Sequence, residues 1–192
     1  NLSLEAENAM HLNQGDGPNW QIENGSQGYS GTGYMAAAAS GFDSGNLTSG
    51  SQLSWDIEFD YAGHYWVWVR MQQSGDDASS IHLGLNGQIN PLEKSGLSTN
   101  SSVWDWVGEY DNQTSPQRVS LNITSPGRHS IDIWVRESGV DIDRIILTND
   151  SQWVPSGISS NLPPDSSLWT DVTLRAAWLN WSLPSDNRWH DY

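Results

Sequence analysis

Two carboxylates separated by one alanine, Glu5-Ala6-Glu7, stand near the start of the chain, and a third acid, Asp143, begins the apolar stretch that ends at Thr148. On a strand, Glu5 and Glu7 share a face about 6.5–7 Å apart. Their charges are then solvated, paired with cations or holding a metal. Asp143 has the parity of Ile145 and Leu147, so it is expected to point toward the core, where a carboxylate requires a partner. If the first and last strands of a sandwich are neighbours, Glu5, Glu7 and Asp143 meet as hard oxygen ligands that, with loop carbonyls, suit calcium rather than zinc. The alternative is an arginine paired with Asp143 and two solvated glutamates. His11, His64, His82, His129 and His190 show no zinc-type spacing.

Asp56, Glu58 and Asp60 in WDIEFD offer a second chemistry. Alternating acids on one strand resemble the catalytic strand of laminarinase-like glycosidases, with Asp, Glu, Asp in place of Glu, Asp, Glu. Retaining hydrolysis needs two carboxyl groups about 5–5.5 Å apart, one of them kept protonated by its surroundings. A strand in mid-sheet gives no sign of such a cleft, so a charged outer face is the expected role and the domain is expected not to be an enzyme.

The elements that must position these groups read as all-β. Period-two alternation recurs from the amino terminus to about residue 148, without sustained helical spacing. Leu53, Trp55, Ile57 and Phe59 alternate with polar residues. After Ala62-Gly63, Tyr65, Val67 and Val69 alternate with Trp66, Trp68 and Arg70, and the two runs are expected to form a hairpin. Ile81, Leu83 and Leu85, then Val119, Leu121 and Ile123, then Ile131, Ile133 and Val135 mark further strands. Short strands at this spacing predict a β-sandwich of jelly-roll type with two antiparallel sheets. Long Gly/Ser-rich loops such as ENGSQGYSGTGY separate them, and binding residues usually sit on such loops.

Composition narrows the partners. The chain has 192 residues, with 8 Lys and Arg against 23 Asp and Glu and a formal charge of −15. That excludes the basic surface of a nucleic-acid binder and disfavours an anionic membrane surface. There is no cysteine to staple the fold, and no apolar run reaches transmembrane length, so any signal peptide is expected to have been removed or not included. Twelve tryptophans stand against two phenylalanines. Such an excess points to a Trp-filled core or to faces that grip something. Residues 1–150 are expected to form the sandwich, and 151–192, which hold four of the eight prolines, an extension that packs on it or links to a neighbouring domain.

The order of EAE, AGHYWVWVR, DDAS, WDW, PGRHSI and RESGVDIDRIILT resembles carbohydrate-binding modules of families 6 and 35. It is also similar to the module at the carboxyl end of some family 115 glycoside hydrolases. The resemblance covers residues 1 to about 150. It implies a structural calcium held by Glu5, Glu7 and Asp143, and a sugar site among variable loops, with Tyr29, Tyr34, Asp76, Asp77, Trp104, Trp106 and Asn149 as candidates. A pyranose offers an apolar C–H face to a ring, while its hydroxyls need paired donors and acceptors. The competing expectation for Trp104 and Trp106, which share one strand face, is burial in the core.

By parity Trp66, Trp68 and Trp134 lie outside the core, as a second carbohydrate platform or beneath a cover supplied by Trp153, Trp169, Trp178, Trp181 and Trp189. The rarity of large exposed apolar patches in monomers favours the cover. The resulting expectation is a secreted, monomeric, non-catalytic module that binds a polysaccharide or oligosaccharide beside a catalytic domain of the same chain. A structural interaction module without a sugar site and a small sandwich hydrolase or lyase are the alternatives.

Overall fold

The computed structural model describes residues 1–44, 49–75, 79–89, 96–110 and 117–158. In chain order its strands are β1 (Leu2–Glu5), β2 (His11–Asn13), β3 (Trp20–Glu23), β4 (Tyr34–Ala37), β5 (Gln52–Phe59), β6 (Gly63–Gln73), β7 (Ser79–Leu85), β8 (Gln88–Ile89), β9 (Leu97–Thr99), β10 (Asp105–Val107), β11 (Ser120–Ile123), β12 (Gly127–Glu137) and β13 (Val140–Thr148). Among the described residues the only helical element is one 3-10 turn, Ala6–Asn8. The strands form two antiparallel sheets, as expected. The first runs β10-β6-β13-β4-β3, with β1 beside β13 and β11 beside β6; the second runs β2-β5-β12-β7-β8, with β9 beside β7.

The inner faces are those the alternation predicts. Leu53, Trp55, Ile57, Phe59, Ile131 and Ile133 of the second sheet meet Tyr65, Val67, Val69, Ile142, Ile145 and Leu147 of the first in one buried cluster. Each fully buried aliphatic side chain there stabilises the fold by roughly 1.5–3 kcal/mol.

Four expectations are corrected. First, β5 and β6 do not form a hairpin. β5 pairs with β12 and β2, and β6 with β13, β10 and β11. The short link 60–62 crosses from one sheet to the other, so the two apolar faces oppose each other across the core. Second, Glu5 and Glu7 do not share a strand, because β1 stops at Glu5 and Glu7 lies in the 3-10 turn. Third, the β6–β13 register shifts between Ile142 and Arg144, so both Asp143 and Arg144 lie opposite Arg70. Such a bulge re-aims side chains. Asp143 is fully buried, but it is held on the outer side of the sheet, where Arg70 and Ser30 meet it, rather than in the apolar core. Fourth, Trp66 and Trp68 belong to the first sheet and Trp134 to the second, so they do not form one face.

The register of β1 on β13, Leu2 opposite Leu147 through Glu5 opposite Arg144, makes the first and last strands neighbours as expected. It sets Glu5 beside the bulge.

Candidate functional site

The acids gather around one loop. Ser30 donates its backbone N–H to Asp143 Oδ1 at 2.6 Å, and its hydroxyl lies 2.7 Å from Glu5 Oε2 and 3.0 Å from Asp143 Oδ1. Thr32 donates its N–H to Glu7 Oε1 at 2.7 Å. Gly31, at φ +67°, lies between these contacts, and a methyl group on it would collide with Glu7 Oε1 and crowd Glu5 Oε2. Only glycine fits a positive φ and that close approach together. Two arginines complete the set: Arg70 Nη1 donates to Asp143 Oδ2 at 2.6 Å, and Arg144 Nη2 to Glu5 Oε1. The arginine partner named as the alternative for Asp143 is therefore present.

Among the described residues, the carboxylates are not drawn into a three-acid cluster of the kind that encloses a metal ion. Ser30 stands between Glu5 and Asp143, and Thr32 holds Glu7. The donor chemistry nevertheless fits a hard divalent cation: Glu5 Oε2 and Asp143 Oδ1 meet hydroxyl and amide hydrogens rather than an arginine, and Glu7 Oε2 is buried with no hydrogen-bond partner among the described residues. Burial pushes the Glu7 carboxyl above its ordinary pKa, ahead of the opposing pull of the Thr32 amide. An acid in that state gains from an added positive charge.

The same loop carries an aromatic cluster. Tyr29 and Tyr34 pack with ring centroids 5.5 Å apart, and Tyr34 meets Trp104 edge to face at 5.2 Å. Such geometry is favourable for aromatic pairs. Tyr34 is the first residue of β4 rather than a loop residue and is buried, while Tyr29 and Trp104 are half-buried. The Trp104 indole N–H donates to Gln27 O at 3.1 Å, fixing the ring against the loop. Behind the rings lies a polar floor that sequence reasoning missed. Gln72 Nε2 donates to Asp141 Oδ2 at 2.9 Å and contacts Ser26 Oγ at 3.0 Å, and the Tyr34 hydroxyl accepts the Ser26 N–H at 3.3 Å. Asp141 is buried, and burial raises its pKa against the opposing pull of the Gln72 and Ser74 side chains. The even spacing of Asp141 before Asp143 was the available signal, but the intervening bulge hides that both reach the outer face.

The other candidates fall elsewhere. Trp106, in β10, is half-buried outside the core cluster, and its indole N–H donates to Gly157 O at 3.0 Å, in the segment after β13. Asn149 is exposed beyond the end of β13, six residues or roughly 20 Å from Asp143 along an extended strand. The structure does not bring it to the rings. Asp76 and Asp77 lie outside the described residues. Core burial of Trp104 and Trp106, the competing expectation, is not what the structure has. Residues 26–32 contact both the carboxylates and the aromatic residues, so the two groups lie side by side.

Trp66 and Trp68 lie beneath Arg118, whose guanidinium is 5.7 Å and 4.4 Å from the two rings and donates to Ser151 O. Trp68 is buried. The start of the carboxyl-terminal segment thus lies close to this face, and most of the segment, 159–192, lies outside the described residues. On the acid strand, Asp56 pairs with Arg128 at 2.6 Å and contacts His11 at 3.5 Å, as an outer charged face does.

The two-sheet sandwich shares its fold with solved family 35 carbohydrate-binding modules. It is similar to the native family 35 carbohydrate-binding module from Clostridium thermocellum, with a TM-score of 0.53 and 16% identity, covering 78% of this chain and 98% of that one. It is also similar to the Podospora anserina GH26-CBM35 β-(1,4)-mannanase, with a TM-score of 0.53 and 20% identity over 80% of this chain and 28% of that one. Residues 1–163 match the model of the glycosyl hydrolase family 115 C-terminal domain, and the chain belongs to that family. It also resembles an uncharacterized protein, P23, of Formosa agariphila, at 27% identity over 57% of this chain and 28% of the relative. The chain thus spans little more than a quarter of that relative and of the mannanase.

Proposed function

We propose that the domain is a non-catalytic carbohydrate-binding module that holds a polysaccharide against Tyr29, Tyr34 and Trp104, and that it serves a secreted carbohydrate-active enzyme as an attached anchor. The observation that carries this reading is the packed ring cluster over the Gln72–Asp141–Ser26 floor. The half-buried rings of Tyr29 and Trp104, backed by the buried Tyr34, present apolar surface to a sugar face, and a nearby amide and carboxylate suit hydroxyls. Family membership and the fold support the same class. A densely anionic glycan is the poorer fit to a chain of charge −15.

Calcium held by Glu5, Glu7 and Asp143 is part of the proposal. The ion would supply positive charge and bridge the first strand, the 3-10 turn and the last strand; Ser30 and Thr32 would keep the loop over it. What supports it is the hard-oxygen donor set and the buried Glu7 Oε2, which has no hydrogen-bond partner among the described residues.

Affinity electrophoresis in β-1,4-mannan, xylan and soluble β-1,3-glucan tests the binding. Wild-type protein should be retarded by at least one, and Trp104→Ala should migrate freely. If no glycan retards the wild type, the domain is better read as a structural interaction module. Reducing-sugar release from the retarding glycan would instead move the reading to a hydrolase.

A further inference from the structure

Residues 26–32 form a strap whose inward contacts are made at named points. Ser26 meets Tyr34 and Gln72, Gln27 O accepts the Trp104 indole N–H, Gly28 O accepts from Arg70, Ser30 meets Asp143 and Glu5, and Thr32 meets Glu7. Tyr29 is flanked by two of these points, and both are held by one buried ion pair. Arg70 Nη1 donates to Gly28 O at 2.8 Å and to Asp143 Oδ2 at 2.6 Å, while Asp143 Oδ1 accepts the Ser30 N–H at 2.6 Å. The circuit Gly28–Arg70–Asp143–Ser30 therefore closes beneath Tyr29. The Arg70 guanidinium also lies 5.6 Å from the Trp104 ring centroid. Arg70 itself is buried and presents almost nothing to solvent.

We propose that Arg70 is a positioning residue for the sugar-binding face: it fixes Tyr29 through Gly28 and Asp143, and Trp104 through direct contact with its ring. The inference rests on the reading that these rings bind a glycan. A single cation holds both sides of the face, so the rings reach their bound arrangement before the ligand arrives, and the cost of ordering them is not charged to binding. Lysine keeps the charge opposite Asp143 but lacks the planar group that spreads over an aromatic ring while donating elsewhere.

The test uses Arg70→Lys in the full chain, titrated with whichever of β-1,4-mannan, xylan and soluble β-1,3-glucan retards the wild type most. Its Kd should rise about tenfold, the size expected when ordered side chains lose their support. Amide hydrogen exchange should accelerate in the peptide spanning 26–32 and stay slow in β6 and β13. An unchanged Kd would overturn the proposal. So would weaker binding accompanied by faster exchange throughout β6 and β13, which marks a general loss of stability.

If Arg70→Lys does not fold, the paired variant Arg70→Met with Asp143→Asn removes both buried charges together and is judged by the same two readouts. Trp104→Ala separates the two levels of inference. If Trp104→Ala weakens binding and Arg70→Lys does not, the positioning role falls alone. If Trp104→Ala binds as the wild type does, the glycan-binding face falls and the positioning role with it.

Discussion

Asp143 and Asp132 are both buried aspartates on outer sheet faces, one on each side of the sandwich, yet they are satisfied in different ways. Asp132 accepts from the Ser54 hydroxyl at 2.5 Å, the Gln52 amide at 3.0 Å, the Gly87 N–H at 2.7 Å and the Ser130 hydroxyl at 2.9 Å. These are neutral donors that belong to the second sheet and its turn. Asp143 meets a buried arginine and a loop serine that also contacts Glu5. One aspartate closes a local network. The other ties three distant pieces of chain together beside a half-buried aromatic surface. Burial of a carboxylate therefore does not separate structure from function, whereas the identity of its donors does.

Replacing each aspartate breaks that comparison in a different place. Asp143→Ala leaves the Arg70 charge buried and unpaired, which should cost about 3–5 kcal/mol. At 2–4 °C per kcal/mol for a chain of this size, the melting temperature should fall by roughly 10 °C. Glycan retention should be lost with it. Loss of stability with full retention would detach the acid from the binding face.

Calcium gives the next largest effect. At a hundred times its Kd the ion should stabilise the wild type by about 2.7 kcal/mol. Calorimetry with chelator and then with added calcium reads this directly. Asp143→Asn should lose the response, whereas Asp132→Asn should keep it. A melting temperature indifferent to chelator in the wild type would remove the calcium proposal and leave the Arg70–Asp143 pair as the structural tie. Asp132→Ala should then cost about 2 kcal/mol, because the buried Ser54 hydroxyl and three part-buried donors lose their acceptor. Affinity electrophoresis of that variant should match the wild type, since none of the four donors belongs to the strap.

Why one of these acids was foreseen as a site residue and the other was not lies in chain topology. Closing a sandwich with its first strand beside its last follows from general packing, and it placed Glu5 near Asp143. Alternation identified the core residues of β5 and β12 and all but Met71 of those of β6, because period two records which face is buried. In β13 it found only Ile145 and Leu147 and not Val140 and Ile142. It does not record which strand lies alongside. The link 60–62 can turn or cross with the same flanking pattern, so the expected hairpin became a crossing between sheets. The bulge at Asp143 is equally silent: one additional residue resets parity, and no nearby residue type marks it. Trp104 and Trp106 are two residues apart, yet one joins the tyrosines and the other meets Gly157, because the carboxyl-terminal segment decides what Trp106 touches. Such long-range choices are made by tertiary contacts that local spacing does not encode.

His82 sharpens the contrast on the second sheet, where Trp134 lies opposite it in register. It is fully buried, and neither ring nitrogen has a hydrogen-bond partner among the described residues. Burial, then the nearby Arg136 charge, lowers its pKa from 6.5 to about 4, against a weaker opposing pull from Asp43. The folded state therefore binds fewer protons than the unfolded state between those values, so this group's contribution to stability falls as pH drops through that window. The loss should be about 1 kcal/mol by pH 5.5, from linkage between the two pKa values. Glu7 and Asp141 act in the opposite direction, because their raised pKa values favour the folded state toward acid pH. The histidine is accordingly read as a difference: urea unfolding of the wild type and His82→Leu at pH 7.5 and 5.5 should show the wild type losing about 1 kcal/mol more. Equal losses would mean that His82 accepts a proton as readily folded as unfolded. A larger loss in the variant would mean that His82 binds its proton more tightly in the folded state than in the unfolded one.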